Sequence, residues 1–446
     1  MNILIEKARI WTNDSELGLI ENGFVLLQDN LIAQVGRMEE LPQNLAERAQ
    51  IIAGHGQLLL PGFVCAHTHL YSALARGMAL SGVAPQSFTD ILAQIWWRLD
   101  KALDKESIYY SALIGGLELI RNGVTTVIDH HASPNAIRGS LAEIKKALVG
   151  ELGLRSCLCY EISDRDGPER AMEGIAENIE FFDSTAQDEL LSALIGLHAS
   201  FSLSDRTFAQ LRQALGGREV GFHIHLAEGP EDQEDSLTQY GKRVAARLND
   251  LGILGPRTIL AHGIHLDEQE QELIAQAGAI LVHNPQSNMN NAVGIADIPA
   301  LLRKGILVGL GNDGFGYEML SDLRAMFLVH KLVQHDPQAM SLAQAHQVFF
   351  RNNYEIARRL FGVKLGSIRP GYRADLILVD YKAPTPLDEA NFMGHLLFGL
   401  AGNLEVRTTI VNGRVLMRER EMCGIDEQQA YREAREATRR LWGRIE

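Results

Sequence analysis

Long hydrophobic runs are missing from this chain of 446 residues. No run approaches the roughly 18 apolar residues that a membrane helix needs, and Glu6 and Lys7 interrupt the apolar residues near the start. We therefore expect neither a membrane span nor a secretory signal. An excess of basic residues is missing too, because 42 Lys and Arg against 56 Asp and Glu give a formal net charge of −14. Nucleic acids and anionic membranes attract basic surfaces, so the composition predicts neither of them as a partner.

Cysteine is scarce as well, with 4 residues in the whole chain. So few cysteines cannot form a disulfide framework in a protein of this length. Cys157 and Cys159 are two residues apart in an apolar run, which predicts that both point to one face of a strand as buried thiols. We therefore expect a cytoplasmic protein. The 46% hydrophobic and 22% charged residues are typical of a globular chain with a large core.

Short apolar runs alternate with helix-like stretches between about residues 60 and 320. Several runs are apolar without interruption, as at 259–261 and 280–282, which is typical of strands covered on both faces. Eight such strands separated by helices predict a parallel (β/α)8 barrel, as in the TIM barrel. The predicted strands are 61–69, 125–131, 155–162, 192–200, 219–228, 258–266, 279–288 and 307–314.

The two ends of the chain show a different pattern. Strands are predicted at 2–11, 23–35 and 374–380, and a hairpin at 406–418 around the turn signal Asn412-Gly413. We therefore predict an α/β fold with a second, smaller, discontinuous β-sandwich domain, formed by residues 1–58 and 366–424. The barrel domain takes residues 59–365, and a C-terminal helix takes 425–446. Its arginines, at 432, 435, 439 and 440, are interpreted as a solvated helix face.

Histidine is abundant, with 15 residues in the chain. Ten of them fall at or just beyond the carboxyl end of a predicted strand. In a (β/α)8 barrel these ends open onto one face, and active sites are built on that face. Convergence of so many imidazoles predicts a functional site there. The ten are His67, His69, His130, His131, His198, His223, His225, His262, His265 and His283.

The pair His67 and His69 indicates a metal site. Residues two apart on a strand point to the same side, so both imidazoles can reach one ion. His225 on the fifth predicted strand and Asp313 at the end of the eighth complete a set of three nitrogens and one oxygen. Such a set suits zinc or ferrous iron and leaves room for a water molecule. Glu228, three residues after His225, could shuttle a proton to a substrate ring atom if burial raises its pKa.

A series of motifs runs in a fixed order along almost the whole chain. Their order and strand placement resemble the amidohydrolase superfamily, in the branch of the cytosine deaminases, guanine deaminases and chlorohydrolases. Within that branch, the segments 96–100, 129–134 and 283–294 are similar to an aminohydrolase associated with bacterial selenium metabolism, and Asp129-His130-His131 also resembles 8-oxoguanine deaminases. The motifs are Pro61-Gly62-Phe63-Val64, His67-x-His69, Arg76-Gly77, Gly123-Val124-Thr125-Thr126, His225-x-x-Glu228, Ala261-His262, Asn284-Pro285-x-Ser287-Asn288, Asp313 and Pro370-Gly371-x-x-Ala374-Asp375-Leu376.

The resemblance implies roles for single residues. His262 would orient the attacking water and His198 would contact the substrate. Members with two metals carry a carboxylated lysine on the fourth strand, and residues 194–198 contain no lysine, so we expect one divalent ion, zinc with iron as the alternative. The family's Gly-Thr-Asp is Gly311-Asn312-Asp313 here, which keeps the metal ligand but could alter the water network. The metal ligands carried over are His67, His69, His225 and Asp313.

The chemistry implied is hydrolytic removal of an amino group from a ring carbon, with release of ammonia. The substrate would be a small N-heterocycle, of purine, pterin or pyrimidine type. A divalent metal makes water a nucleophile near neutral pH. Asp313 and His262 would take and orient the proton of that water, while Glu228 would protonate the ring nitrogen. A homodimer is the expectation that the resemblance adds.

Three further residues are predicted to contact the ring. Adjacent strand residues face opposite ways, so only one of His130 and His131 should enter the pocket, and we assign that position to His130. Asn284 is the second, and Trp97 is the third because its indole could stack on a flat ring. Two alternatives stay open at this point. One is a chlorohydrolase or cyclic amide hydrolase on the same site, and the other is a non-catalytic metal-binding accessory protein linked to selenium metabolism.

Overall fold

The computed structural model describes residues 2–42, 45, 49–185 and 188–445 of the chain. Its strands fall into three groups along the chain. The first group is β1 Asn2–Trp11, β2 Leu19–Gln28, β3 Leu31–Arg37, β4 Gln50–Ala53 and β5 Leu58–Pro61. The second is β6 Phe63–Thr68, β7 Val124–His131, β8 Arg155–Tyr160, β9 Leu191–Ala193, β10 Ile195–Ala199, β11 Phe222–Leu226, β12 Ile259–His262, β13 Ile280–His283 and β14 Leu307–Leu310. The third is β15 Leu376–Asp380, β16 Glu405–Val411, β17 Arg414–Arg418 and β18 Glu421–Met422.

Helices connect the strands of the second group and cover them. Short 3₁₀ or π turns extend several of the helices, for example Leu92–Trp96 ahead of Trp97–Ala102. The α-helices are Phe88–Ile91, Trp97–Ala102, Lys105–Arg121, Ser140–Lys145, Pro168–Ser184, Asp205–Leu215, Pro230–Tyr240, Val244–Asp250, Glu268–Ala277, Pro285–Asn290, Ile298–Arg303, Met319–Gln334, Leu342–His346, Asn353–Phe361, Phe392–His395 and Glu427–Trp442.

The second group of strands forms the predicted barrel. All its pairings are parallel, in the orders β6-β7-β8-β9 and β10-β11-β12-β13-β14. The fourth barrel strand is divided into β9 and β10. A parallel bridge between Ile162, just after β8, and Leu197 in β10 joins the two groups of barrel strands. Asn312 and Asp313 donate their backbone N–H groups to the carbonyl of His67, at 3.0 and 3.2 Å, which links the last strand to the first. The prediction of a (β/α)8 barrel is confirmed.

The first barrel strand begins at Phe63 rather than at residue 61. Residues Leu58–Pro61 pair with β1 and β15 instead, so they belong to the other sheet. The chain crosses between the sheets at Gly62, whose N–H donates to Asp375, while the N–H of Phe63 donates to Gly123 inside the barrel. A Cβ atom at Gly62 would collide with Thr125, so this crossing requires glycine.

The remaining strands form one mixed sheet in the order β18-β17-β16-β15-β5-β1-β2-β3, with β4 beside β1. Both ends of the chain contribute to it, which confirms a second, smaller β domain. A sandwich was predicted, but the strands of this domain are hydrogen-bonded into one continuous sheet and not into two separate sheets. One apolar core contains residues from β1, β2, β15 and β16. The prediction of a single strand at 23–35 was wrong, because the chain turns at Asp29, with φ of 52°, and β2 and β3 form a hairpin. The hairpin at Asn412-Gly413 is confirmed, with φ of 50° and 76°.

The C-terminal helix Glu427–Trp442 packs on helix Lys105–Arg121, with Arg121 bound to Glu427 at 2.5 Å. Its arginines at 432, 435, 439 and 440 are exposed, as expected of a solvated face. Cys65, Cys157 and Cys159 are buried free thiols, and Cys423 is an exposed one. Within the described ranges, no helix is both long enough and apolar enough to span a bilayer.

Candidate active site

Six histidine rings meet inside the barrel, five of them near the carboxyl ends of the strands. The sixth, His223, was predicted at a strand end but is the second residue of β11. The six ring centroids lie between 4.3 and 5.9 Å from those of neighbours in the cluster. Because β6, β7, β11 and β12 are parallel strands of one barrel, they bring together residues far apart in sequence. The backbone is also strained here, since His262 and Asp313 have φ values of 74° and 56°, a region that favours glycine. The six are His67, His69, His130, His223, His225 and His262.

The four predicted metal ligands lie together. One ligand atom from each of them falls within 4.8 Å of all the others. The Nε2 atom of His67 lies 2.9 Å from Asp313 Oδ1, and the Nε2 atom of His69 lies 3.2 Å from the same oxygen. The Nε2 atoms of His69 and His225 are 3.1 Å apart. This is the grouping of three nitrogens and one oxygen that the sequence predicts.

Backbone carbonyls fix the tautomers of two of these ligands. The Nδ1 atom of His69 donates to the carbonyl of His130 at 2.5 Å, and the Nδ1 atom of His225 donates to that of His198 at 2.9 Å. A carbonyl oxygen only accepts, so in the neutral rings each Nε2 carries a lone pair. Two lone pairs facing each other at 3.1 Å repel unless a positive charge lies beside them. The donor set therefore fits a metal cation.

The pKa values of the ligand histidines also indicate that the site favours a positive charge. Burial lowers the pKa of His69, but the hydrogen bond to Asp313 and the charge of Glu161 outweigh it and raise the pKa to about 9. Burial lowers the pKa of His67 to about 4, against the pull of Asp313, so this ring stays neutral. Without a metal, a proton on His69 supplies the positive charge. Metal binding then displaces that proton, as expected for imidazole ligands.

Further hydrogen bonds hold the ligand rings from behind. The Nδ1 atom of His67 lies 2.8 Å from Nε2 of His223, and Nδ1 of His223 lies 3.7 Å from the sulfur of Cys159. The second oxygen of Asp313 accepts a hydrogen bond from the hydroxyl of Ser287 at 2.5 Å. Such outer contacts fix the orientation of metal ligands.

Glu228 and His262 lie next to the ligand set. Nε2 of His262 is 3.5 Å from Glu228 Oε2 and 3.9 Å from Asp313 Oδ1, and Nδ1 of His262 bonds to the side chain of Asn288 at 2.8 Å. Burial raises the pKa of Glu228 to about 7, even though the charge of His262 opposes the rise. Glu228 is therefore able to carry a proton near neutral pH, as a general acid must.

A cavity of about 480 Å³ opens above these residues. That volume is within the usual range for small-molecule sites, roughly 300 to 1,000 Å³. Aromatic and aliphatic side chains from residues 88–97, together with Phe315, form part of its lining. Of the predicted site residues, those that line the cavity are His69, His225, Asp313, Glu228, His198 and Trp97.

The two other predicted ring contacts lie elsewhere. His130 is fully buried and does not line the cavity, because its ring stacks on that of His223 with centroids 4.3 Å apart. Asn284 is fully buried as well, against Gly311 and outside the cavity lining. Their placement does not favour direct contact with a substrate. His131 points away from His130, and its Nε2 atom lies 2.9 Å from the hydroxyl of Ser133.

Three polar residues on the cavity wall, Asp100, Glu161 and Arg165, were not predicted from the sequence. Arg165 bonds to Asp100 at 2.6 Å and lies over the ring of Trp97 at 5.0 Å, so one face of that indole is already covered. Glu161 also lines the cavity and directly follows β8. The rule that strand ends face the site would have identified Glu161, had carboxylates been searched as histidines were. Asp100 and Arg165 lie in loops and helices, where no periodic pattern indicates direction.

The chain is similar to known proteins over most of its length. The sequence matches the Amidohydrolase family over residues 58–416. It is 31% identical over 460 residues to a protein of Syntrophomonas wolfei named 5-methylthioadenosine/S-adenosylhomocysteine deaminase, with 100% of both chains covered. It is 30% identical over 451 residues to a 5'-deoxyadenosine deaminase of Methanosarcina barkeri, covering 100% of this chain and 99% of the other. An adenosine deaminase from Xanthomonas campestris with bound zinc has the same fold, with a TM-score of 0.85, 26% identity and 98% of each chain covered.

Proposed function

This chain belongs to the amidohydrolase family, and we propose that it is a metal-dependent aminohydrolase that releases ammonia from an amino-substituted N-heterocycle. The observation that carries the proposal is the ligand set of His67, His69, His225 and Asp313 with Glu228 beside it, at the floor of one cavity. Relatives of the same length are named as deaminases of aminopurine compounds, which supports a purine-like ring.

A divalent ion held by the four ligands would supply Lewis acidity, which makes water nucleophilic near neutral pH. The chain's own residues then move the protons. Asp313 and the Nε2 atom of His262 face the same point, so they accept and orient the proton that the attacking water gives up. Glu228 donates a proton to the ring nitrogen beside the reacting carbon. The water oxygen bonds to that carbon, the bond to the exocyclic nitrogen breaks, and the amine leaves as ammonia with the proton that Asp313 took from water. The second proton of the water, still on the new hydroxyl group, returns to Glu228, so the ring is left as an oxo product with an N–H group.

We propose zinc as the metal, with iron as the alternative, and one ion per chain. The donor set of three imidazoles and one carboxylate supports zinc, and the similar structure from Xanthomonas campestris contains zinc. Metal analysis of the purified protein tests this. One equivalent of zinc is expected, and a His225→Ala variant should lose it.

The activity itself is tested by a screen for ammonia release against aminopurines, pterins, pyrimidines and triazines. Ammonia from at least one aminated ring supports the proposal. Release of chloride or alkylamine, or opening of a cyclic amide, with no ammonia from any ring would replace it with the related hydrolase reactions on the same site. Protein that binds metal and converts no compound would instead favour an accessory role, linked to selenium metabolism.

We propose that the enzyme works in the cytoplasm as a homodimer on a small-molecule substrate, without nucleic acid or membrane partners. The excess of acidic over basic residues supports the absence of nucleic acid. Light scattering at micromolar concentration tests the dimer, and a monomer mass would remove it from the proposal.

A further inference from the structure

Two segments of the cavity wall are bonded from outside by residues far away in the sequence. The first segment is the 3₁₀ turn Leu70–Ala75, which directly follows the metal ligand His69. The second is the helix Trp97–Ala102. Several residues of the turn, and Trp97 and Asp100 of the helix, line the cavity. The two segments therefore help to determine the shape of the space above the ligands.

Trp442 bonds to the first of these segments. Its indole Nε1–H group donates to the backbone carbonyl of Leu74 at 2.8 Å. Leu74 is the fifth of six residues in the turn, and the last carbonyls of a helical turn have no partner within it. Hydrogen-bond geometry is also poorer in a 3₁₀ turn than in an α-helix, so an outside donor matters more there. The indole is half-buried and packs against the main apolar core, which fixes its direction.

Arg444 makes the same kind of contact to the second segment. Its Nε atom donates to the carbonyl of Ala102 at 2.8 Å, and Ala102 is the last residue of its helix. A basic side chain at this end of a helix satisfies carbonyls that lack an internal partner. The guanidinium of Arg444 also pairs with Asp104 at 3.0 Å. Two residues that are two positions apart therefore hold both wall segments near their carboxyl ends.

Helix Glu427–Trp442 gives these two contacts a fixed base. Three polar pairs attach this helix to helix Lys105–Arg121, and none of their residues lines the cavity. The contacts of the C-terminal region therefore fall into two kinds, which are anchors to the protein body and ties to the cavity wall. The anchoring pairs are Arg121–Glu427, Tyr110–Glu433 and Glu106–Arg440.

The metal ligands are held by contacts that do not involve these ties. The Nδ1 atom of His69 donates to the carbonyl of His130, and the second oxygen of Asp313 accepts from Ser287. Both contacts lie within the barrel. Loss of a tie should therefore displace the wall of the cavity and leave the ligand set in place.

We infer that Trp442 and Arg444 are positioning residues for the proposed deamination, which hold the turn Leu70–Ala75 and the helix Trp97–Ala102 against the substrate. This inference rests on the proposed function. Neither residue lines the cavity, so both act through the backbone of the wall and not by contact with the ring. Without the ties the wall loosens and substrate binding weakens, while the zinc site and the chemical step stay intact.

The kinetic test compares the zinc-loaded wild type with Trp442→Phe and Arg444→Gln on a ring that the wild type deaminates. Phenylalanine keeps an aromatic side chain against the core but has no N–H group to donate. Loss of one such hydrogen bond should raise KM about 3- to 10-fold in each variant, with kcat changed less than about twofold. Arg444→Lys keeps a donor and the charge, and should recover most of the wild-type KM.

Arg440→Gln is the matched control, because it removes an anchor of the same helix and no tie. It should keep the wild-type KM and kcat. Zinc content should be the same in all variants. The side chain of Arg444 is 37% exposed, so Arg444→Gln and Arg444→Lys still test the inference if Trp442→Phe does not fold.

Hydrogen exchange tests the ties without turnover. Backbone amides of residues 70–78 should exchange about 3- to 10-fold faster in Trp442→Phe, and those of residues 97–103 in Arg444→Gln. Amides of the barrel strands β6 and β11 should keep the wild-type rate, and Arg440→Gln should change neither wall segment. Faster exchange across the whole chain with an unchanged KM would show that the two residues only stabilise the fold, and would overturn the inference.

The two measurements also separate this inference from the proposed function. Ammonia release with wild-type KM in both Trp442→Phe and Arg444→Gln leaves the deaminase function standing and refutes the positioning role. Ammonia from none of the rings, with zinc bound, refutes the function and this role together. A raised KM with local exchange in the matching wall segment supports both.

Discussion

Replacing Glu228 by glutamine tests the proton donor most sharply. The substitution keeps the size and hydrogen-bonding shape of a side chain that is 12% exposed and lies 3.5 Å from Nε2 of His262. An amide cannot give up a proton as a carboxylic acid does, so the ring nitrogen loses its donor. Positioned acid or base catalysis contributes about 10²- to 10⁴-fold. We therefore expect kcat/KM to fall by at least about a hundredfold, which is roughly 2.7 kcal/mol of transition-state stabilisation.

The assay is steady-state ammonia release by the zinc-loaded protein, with zinc content measured on the same samples. Glu228 is not among the four ligands, so the variant should retain its metal and its melting temperature. Glu234→Gln, an exposed residue of helix Pro230–Tyr240, which follows Glu228 in the chain, is the matched control and should keep the wild-type rate. Unimpaired turnover in Glu228→Gln would remove Glu228 from the mechanism. Loss of zinc together with activity would mean that it supports the metal instead.

Three other expectations concern the metal and the fold. Chelation should lower the melting temperature, and zinc should restore it with release of a proton, because His69 holds a proton in the metal-free site; unchanged melting would contradict the ligand set. Asp375→Ala should cost about 3 to 5 kcal/mol in chemical unfolding, because it leaves the fully buried Arg155, now paired at 3.1 Å, without a counter-charge; a cost below 1 kcal/mol would show that the pair is dispensable. Burial raises the pKa of Asp322 to about 8. In the wild type, the contribution of this group to the free energy of unfolding is therefore complete below about pH 4 and is lost as pH rises towards 8. Asp322→Asn should therefore raise the melting temperature more at pH 8 than at pH 5, and the opposite order would refute the burial argument.

The metal ligands could be predicted from sequence because they depend on strand periodicity. His67 and His69 share one side of β6, and parallel strands bring the distant His225 and Asp313 to the same barrel end. Alternation likewise predicts that His130 and His131 face opposite ways. Alternation does not predict whether a side chain on the inner face reaches the cavity. His130 is fully buried and does not line the cavity, and its ring stacks on that of His223.

The rest of the cavity depends on features that local sequence does not specify. Arg165 reaches Asp100 across 65 positions of the chain, and the direction of both is set by loop conformation. The hairpin of β2 and β3 was missed because Asp29-Asn30 is a weaker turn signal than Asn412-Gly413. Glu161 directly follows a strand, so its position is predictable, but only the structure shows how close its carboxyl group lies to the rings of His69 and His130.

The central claim is that the four-ligand metal set with Glu228 deaminates a heterocycle. The most direct measurement is ammonia release from the ring panel by one preparation, first stripped of metal and then given one equivalent of zinc. We expect no ammonia from the stripped protein and release from at least one aminated ring once zinc is restored. Release that does not depend on metal, or no ammonia from any ring with zinc bound, would contradict it.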